Sequence, residues 1–147
     1  MGENQEKLLI AAHALIGTPY KYAVKPEEIP RYLDCSSFTK YVYGKLNVDL
    51  ERSTILQATQ GREIAITTDT KQITADLEIG DLLFFRGSKG HYNDELFPGK
   101  EIYIGHVAIY QGDKQVIHAS SPHGVIEESI DSIIKTKGPI IIVKRIL

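Results

Sequence analysis

Apolar residues recur at helical spacing in the first part of the chain and as short β-branched and aromatic runs in the second. Leu8, Leu9, Ala12, Leu15 and Ile16 fall on one face of a 3.6-residue repeat, which predicts a helix over residues 3–16. Gly17-Thr18-Pro19 ends it. Pro26 and Pro30 make residues 20–33 an irregular loop. Asp34-Cys35-Ser36-Ser37 then opens a second helix, with Asp34 as the N-cap and Phe38, Val42 and Leu46 on one face. Gly44 weakens its late turns. A third short helix fits residues 53–60, capped by Ser53 and stopped by Gly61.

Beyond Gly61 the period changes. Ile64-Ala65-Ile66 and Leu82-Leu83-Phe84-Phe85 read as strands. Residues 102–110 and 115–119 read as a hairpin around Gln111-Gly112-Asp113-Lys114. Residues 87–99, with three Gly and one Pro, read as a surface loop. Residues 129–136 fit a small helix or turn, and 140–146 a last strand. No internal repeat is present. The expectation is an α+β fold, with N-terminal helices packed on a mostly antiparallel sheet. A chain of 147 residues fits one domain, 1–147.

Composition narrows the function classes. With 42% hydrophobic and 24% charged residues, the chain is expected to fold rather than stay disordered. Its 17 Lys+Arg against 19 Asp+Glu argue against a generic nucleic-acid binder. Apolar runs fall short of the ~18–20 residues of a membrane span. The polar, acidic start lacks the basic segment of a signal peptide. Localisation is left open by this: action in the cytoplasm, release by lysis or a dedicated secretion system, or a leader removed beforehand. The sequence leaves the oligomeric state open.

One cysteine excludes an internal disulfide and any Cys₄ or Cys₂His₂ zinc site within the chain. Cys35 is then either a packing residue or a reactive thiol. At a helix start, backbone N–H dipoles lower a thiol pKa and can hold an oxyanion. His106 and His118 interrupt otherwise apolar strands. A hairpin turning at Gly112-Asp113 sets them nearly opposite, on one face and about 5 Å apart. Cysteine catalysis needs a base and a group that orients the base, and these two histidines supply both. The pair alone does not say which of them meets the sulfur. His13, His91 and His123 are weaker candidates, expected on helix, loop and turn surface. A zinc site from the strand histidines is the lesser reading, for no HExxH-like motif accompanies them; no metal or cofactor is expected.

Six strings in order resemble the NlpC/P60 cysteine peptidases: Gly17-Thr18-Pro19-Tyr20-Lys21-Tyr22, Asp34-Cys35-Ser36-Ser37-Phe38, Arg52-Ser53 with Gln57 and Gly61, the Gly80-Asp81-Leu82 strand, Gly105-His106-Val107-Ala108-Ile109-Tyr110, and Val116-Ile117-His118-Ala119. The resemblance implies a papain-like fold, with Cys35 as nucleophile, His106 as general base and His118 as third member. It implies Tyr20 as an oxyanion or substrate contact, with core packing as the other reading. It sets Asp34 where some relatives contact a muropeptide amine, beside its role as helix cap. It implies Ser36, Ser37, Arg52 and Ser53 along the cleft. The substrate it suggests is a cell-wall peptide, cut between D-γ-glutamate and a diamino acid. The same triad would also suit a thiol acyltransferase or deamidase, and an occluded cleft would leave only a peptide-binding module. Two departures stand out. Ala23-Val24 replaces a frequent Gly-Gly, and residues 25–33 and 87–100 read as longer loops. No SH3-like or LysM-like module is expected within residues 1–147.

Overall fold

The computed structural model describes residues 1–66, 76–87, 91–92 and 103–147. Its helices are α1 (Glu3–His13), α2 (Cys35–Gly44), α3 (Thr54–Gln57) and α4 (Ile130–Lys137), with a 3-10 turn at Pro26–Glu28. Its strands are β1 (Arg62–Ile66), β2 (Leu82–Phe85), β3 (His91–Tyr92), β4 (Tyr103–Ile104), β5 (His106–Gly112), β6 (Gln115–Ser120), β7 (Gly124–Ser129) and β8 (Ile140–Arg145). Six strands form one antiparallel sheet in the order β1-β8-β2-β5-β6-β7, and β3 pairs with β4.

The sheet is covered on both faces, which explains why Leu82-Leu83-Phe84-Phe85 is apolar without a break. Alternate residues divide between two cores. Leu82, Phe84, Val107, Ile109 and Ile117 pack beneath α1 and α2 with Leu8, Phe38 and Val42. Leu83, Phe85, Ala108, Val116 and Val143 pack beneath α4 with Ile130 and Ile133. Each such side chain contributes roughly 1.5–3 kcal/mol on burial. Asp81 of the Gly-Asp-Leu string is structural. It is buried, and Arg145 donates from Nε and Nη2 to its two oxygens, both at 2.8 Å. Tyr43 donates its hydroxyl to the neighbouring Gly80 carbonyl.

Several expectations shift. The first helix stops at His13, and turns continue to Gly17. There Gly17 N–H donates to Val125 O and Val125 N–H to Thr18 O, so the following chain is tied to β7. Only glycine fits at position 124, where φ is +79° and a Cβ would lie 2.3 Å from Thr18 O. The expected strand 102–110 divides at Gly105, whose N–H donates to Phe85 O, and Ile104 turns to pair with β3. The third helix is shorter, Thr54–Gln57. Strand β7 was not expected, because Glu127-Glu128 interrupts its apolar pattern. Much of the 87–99 loop and Ile102 lie outside the described residues, and of His91 only the backbone is described.

Candidate active site

Asp34 caps α2 and accepts from Ser37 N–H at 2.8 Å, while Ser37 Oγ accepts from Asp34 N–H at 2.9 Å. This reciprocal pair sets the first turn of α2 and places Cys35 at its start. Arg52 closes over the cap. Its Nη2 donates to Asp34 Oδ2 at 2.7 Å and to Val24 O at 2.9 Å, and its Nη1 to Ser36 Oγ at 2.8 Å. Burial alone would raise the Asp34 pKa, but the Arg52 guanidinium and the Ser37 N–H outweigh it and hold it below the usual carboxylate value.

The short helix α3 is fixed to α2 by Gln57. This buried amide donates to Ser36 O and Glu51 O, at 2.9 and 2.8 Å, and accepts from Thr39 Oγ1 at 2.6 Å. Thr54 thereby stands over the thiol, its Oγ1 3.4 Å from Cys35 Sγ.

The histidines approach from the sheet. Register pairs Ile109 with Ile117 and Tyr110 with Val116, with a bulge before Gly112. His106 and His118 are therefore diagonal neighbours rather than the opposite pair expected from the turn. They still share a face, and long side chains reach across a diagonal. His106 Nε2 and His118 Nδ1 are 2.8 Å apart, and the rings meet at 86°. His118 Nε2 lies 2.9 Å from Glu128 Oε1, and Ser132 Oγ donates to Glu128 Oε2 at 2.6 Å.

Burial sets the resting charges. It pushes the Cys35 thiol up, with Asp34 adding to it, against the Thr54 hydrogen bond. This acts against the lowering expected from the helix start. Burial also drives His106 well below the usual imidazole value, helped by His118 and Lys137. The Tyr20 hydroxyl is pushed up to about 12 by burial, Cys35, Asp34 and Tyr22, so it stays a phenol.

Cys35 sits between two halves of a cleft. One, of about 550 Å³, is lined by His106, Ser121, Thr136 and Lys137. The other, of about 490 Å³, is lined by Asp34, Ser36, Arg52, Ser53 and Thr54. Tyr20, Tyr22 and Gly105 border both halves with Cys35. Ser37 does not line this cleft: its hydroxyl is turned into the helix cap and it is buried. His13 lies on the surface against Gln111 and Glu127, and His123 is exposed. Among the described residues no group of three or more His, Cys, Asp or Glu is placed to hold a metal ion. No motif singles out Thr54, Glu128, Ser132 or Lys137. Each is an ordinary polar residue in its own segment and becomes notable only when the fold brings it to the cleft or the histidines.

Helices over an antiparallel sheet, with a helix-start cysteine and a strand histidine lining one cavity, define a papain-like α+β fold. The chain belongs to the NlpC/P60 family, whose model matches residues 17–141. It is 31% identical over 121 residues to a probable endopeptidase of Haemophilus influenzae, covering 82% of this chain and 62% of that protein. To the probable endopeptidase NlpC of Escherichia coli it is 31% identical over 118 residues, covering 80% and 62%. The chain thus spans less than two thirds of these relatives. Among solved structures it resembles the NlpC/p60 domain of the peptidoglycan hydrolase SagA, with a TM-score of 0.70, 28% identity, and 97% and 98% of the two chains covered. NlpC2 from Trichomonas vaginalis shares the fold, with a TM-score of 0.73 and 24% identity, over 99% of this chain and 47% of that one.

Proposed function

We propose that this chain is a cysteine peptidase that hydrolyses cell-wall peptides between D-γ-glutamate and a diamino acid. The observation that carries the reading is the shared cleft: the lone thiol, the strand imidazole and the Tyr20 phenol border one cavity. The printed names of the relatives, endopeptidases and a peptidoglycan hydrolase, support the substrate class.

In this mechanism His106 takes the thiol proton as Cys35 Sγ attacks the peptide carbonyl. The oxyanion of the tetrahedral intermediate meets the Cys35 backbone N–H, one of the unpaired donors of the first helical turn, and the Tyr20 hydroxyl. The His106 imidazolium protonates the departing amine, and the C–N bond breaks to leave a thioester on Cys35. Water, deprotonated by His106, then adds to the thioester and releases the acid and the thiol.

Arg52, Asp34 and Ser36 would border one side of the bound peptide. Asp34 already carries the Arg52 guanidinium, so we assign this trio to shaping the cleft and Lys137 to the charge of the opposite half. A digest of a muropeptide bearing D-γ-glutamyl-diamino acid, followed by mass spectrometry, tests the reading. It predicts two fragments parted at that amide. An intact muropeptide, or fragments from another bond, would overturn the substrate assignment. A product joined to an added amine in place of water would assign transfer instead of hydrolysis.

A further inference from the structure

His106, His118 and Glu128 lie on the same face of three adjacent strands, β5, β6 and β7, beneath α4. With both imidazoles neutral, as their burial favours, the order of their hydrogen bonds leaves one arrangement of protons. A carboxylate only accepts, so at 2.9 Å Glu128 Oε1 takes a proton from His118 Nε2–H. A neutral imidazole with its proton on Nε2 has a bare Nδ1. At 2.8 Å that Nδ1 must accept from His106 Nε2–H. His106 is then left with its lone pair on Nδ1, the state of a base. Ser132 completes the series by donating to the second carboxylate oxygen at 2.6 Å from the first turn of α4.

We propose that Glu128 is a positioning residue: acting through His118, it fixes His106 in the tautomer that accepts the Cys35 proton, and Ser132 holds Glu128 in place. This rests on the assignment of His106 as base under the proposed function. Glu128 also opposes the other charges about the pair. Lys137 at the end of α4 disfavours an imidazolium at both histidines, and His123, in the turn before β7, does so at His118; the Glu128 carboxylate favours one at His118. Its neighbour Glu127 points to the other side of β7 and meets exposed His13 at 3.2 Å, so it provides the control.

The test begins without substrate. Long-range ¹H–¹⁵N spectra of the wild-type protein should show both His106 and His118 protonated at Nε2 and bare at Nδ1. A His106 protonated at Nδ1 would overturn the proposal. Glu128→Leu removes the acceptor, and it should lose the single tautomer and lower kcat/KM about 10- to 100-fold with KM little changed. Glu128→Gln keeps an acceptor for His118 but loses the charge. It should recover most of the plateau rate while the acid limb of the pH profile moves about one unit lower. Glu127→Gln should match wild type. Ser132→Ala, half-buried and less disruptive, should cost a few-fold, and it decides the matter with Glu128→Gln if the leucine variant does not fold. Wild-type rate and pH profile in folded Glu128→Leu would also overturn the proposal. If the wild-type protein cuts no muropeptide, the tautomer spectra and the rate of Cys35 alkylation by iodoacetamide still read Glu128. In that case only the substrate assignment falls.

Discussion

The ring of His106 meets that of His118 nearly edge-on, at 86°, with 2.8 Å between Nε2 and Nδ1. That angle aims an N–H at an in-plane lone pair. His118→Ala should therefore lower kcat by about 10²-fold or more while KM changes little, since the loss falls on proton transfer. His118→Asn offers an amide oxygen to the same N–H and should recover part of the rate. Equal loss in both variants, measured by steady-state kinetics, would argue against an orienting role.

Asp34 is almost fully buried, and Arg52 is its charged partner. Arg52→Met strands the carboxylate and should cost about 1–3 kcal/mol in urea denaturation. The lower end is the better guide because Arg52 is itself partly exposed to solvent. The same variant frees the Val24 carbonyl and Ser36 hydroxyl, so the cleft wall should loosen and KM should rise. Unchanged stability would show that the pair adds nothing net.

The buried histidines make stability depend on pH. Both are held below the usual value of 6.5, so the folded protein binds fewer protons than the unfolded chain as pH falls beneath it. Their contribution is full above about 6.5 and is lost as pH drops towards the folded values. Asp34, also lowered, adds a second loss below its usual 3.8. Urea midpoints at pH 7.5, 6 and 5 should decline in that order. The decline between 7.5 and 5 should flatten in a His106→Ala, His118→Ala double variant. A flat profile in the wild-type protein would contradict the burial account.

Ala23 stands at φ +51°, and Val24 beside it is buried. A Cβ thus sits in the left-handed region at a cost of about 1 kcal/mol. Ala23→Gly relieves that strain but raises the entropy of the unfolded chain, so a net gain of about 0.5 kcal/mol is expected. Thermal denaturation should show a Tm higher by a degree or two. A lower Tm would mean that the methyl packs usefully.

What the sequence revealed was mostly local. The cap at Asp34 and the hairpin around Gly112 depend on residues a few positions apart, and both were legible. The apolar runs announced strands, and six strings in order announced the family. The exact turn was not legible: it falls at Asp113-Lys114, both at positive φ, rather than at Gly112-Asp113, and this shift moves the two histidines from opposite to diagonal. The division of the 102–110 run at Gly105 depends on a carbonyl of β2. Glu128 could not be told from Glu127, because their difference is the face of a strand whose partners lie elsewhere in the chain. The influences on the thiol divide the same way: the helix start is local, whereas the burial that acts against it comes from the whole fold.

The central claim is that Cys35 is the nucleophile. The most direct measurement compares muropeptide turnover by wild type and Cys35→Ala, with both shown to be folded by circular dichroism. Cys35 is the chain's only cysteine, so no second thiol can substitute. The account predicts cleavage by the wild-type protein and none above background by the variant. Cleavage by Cys35→Ala at a comparable rate would contradict it.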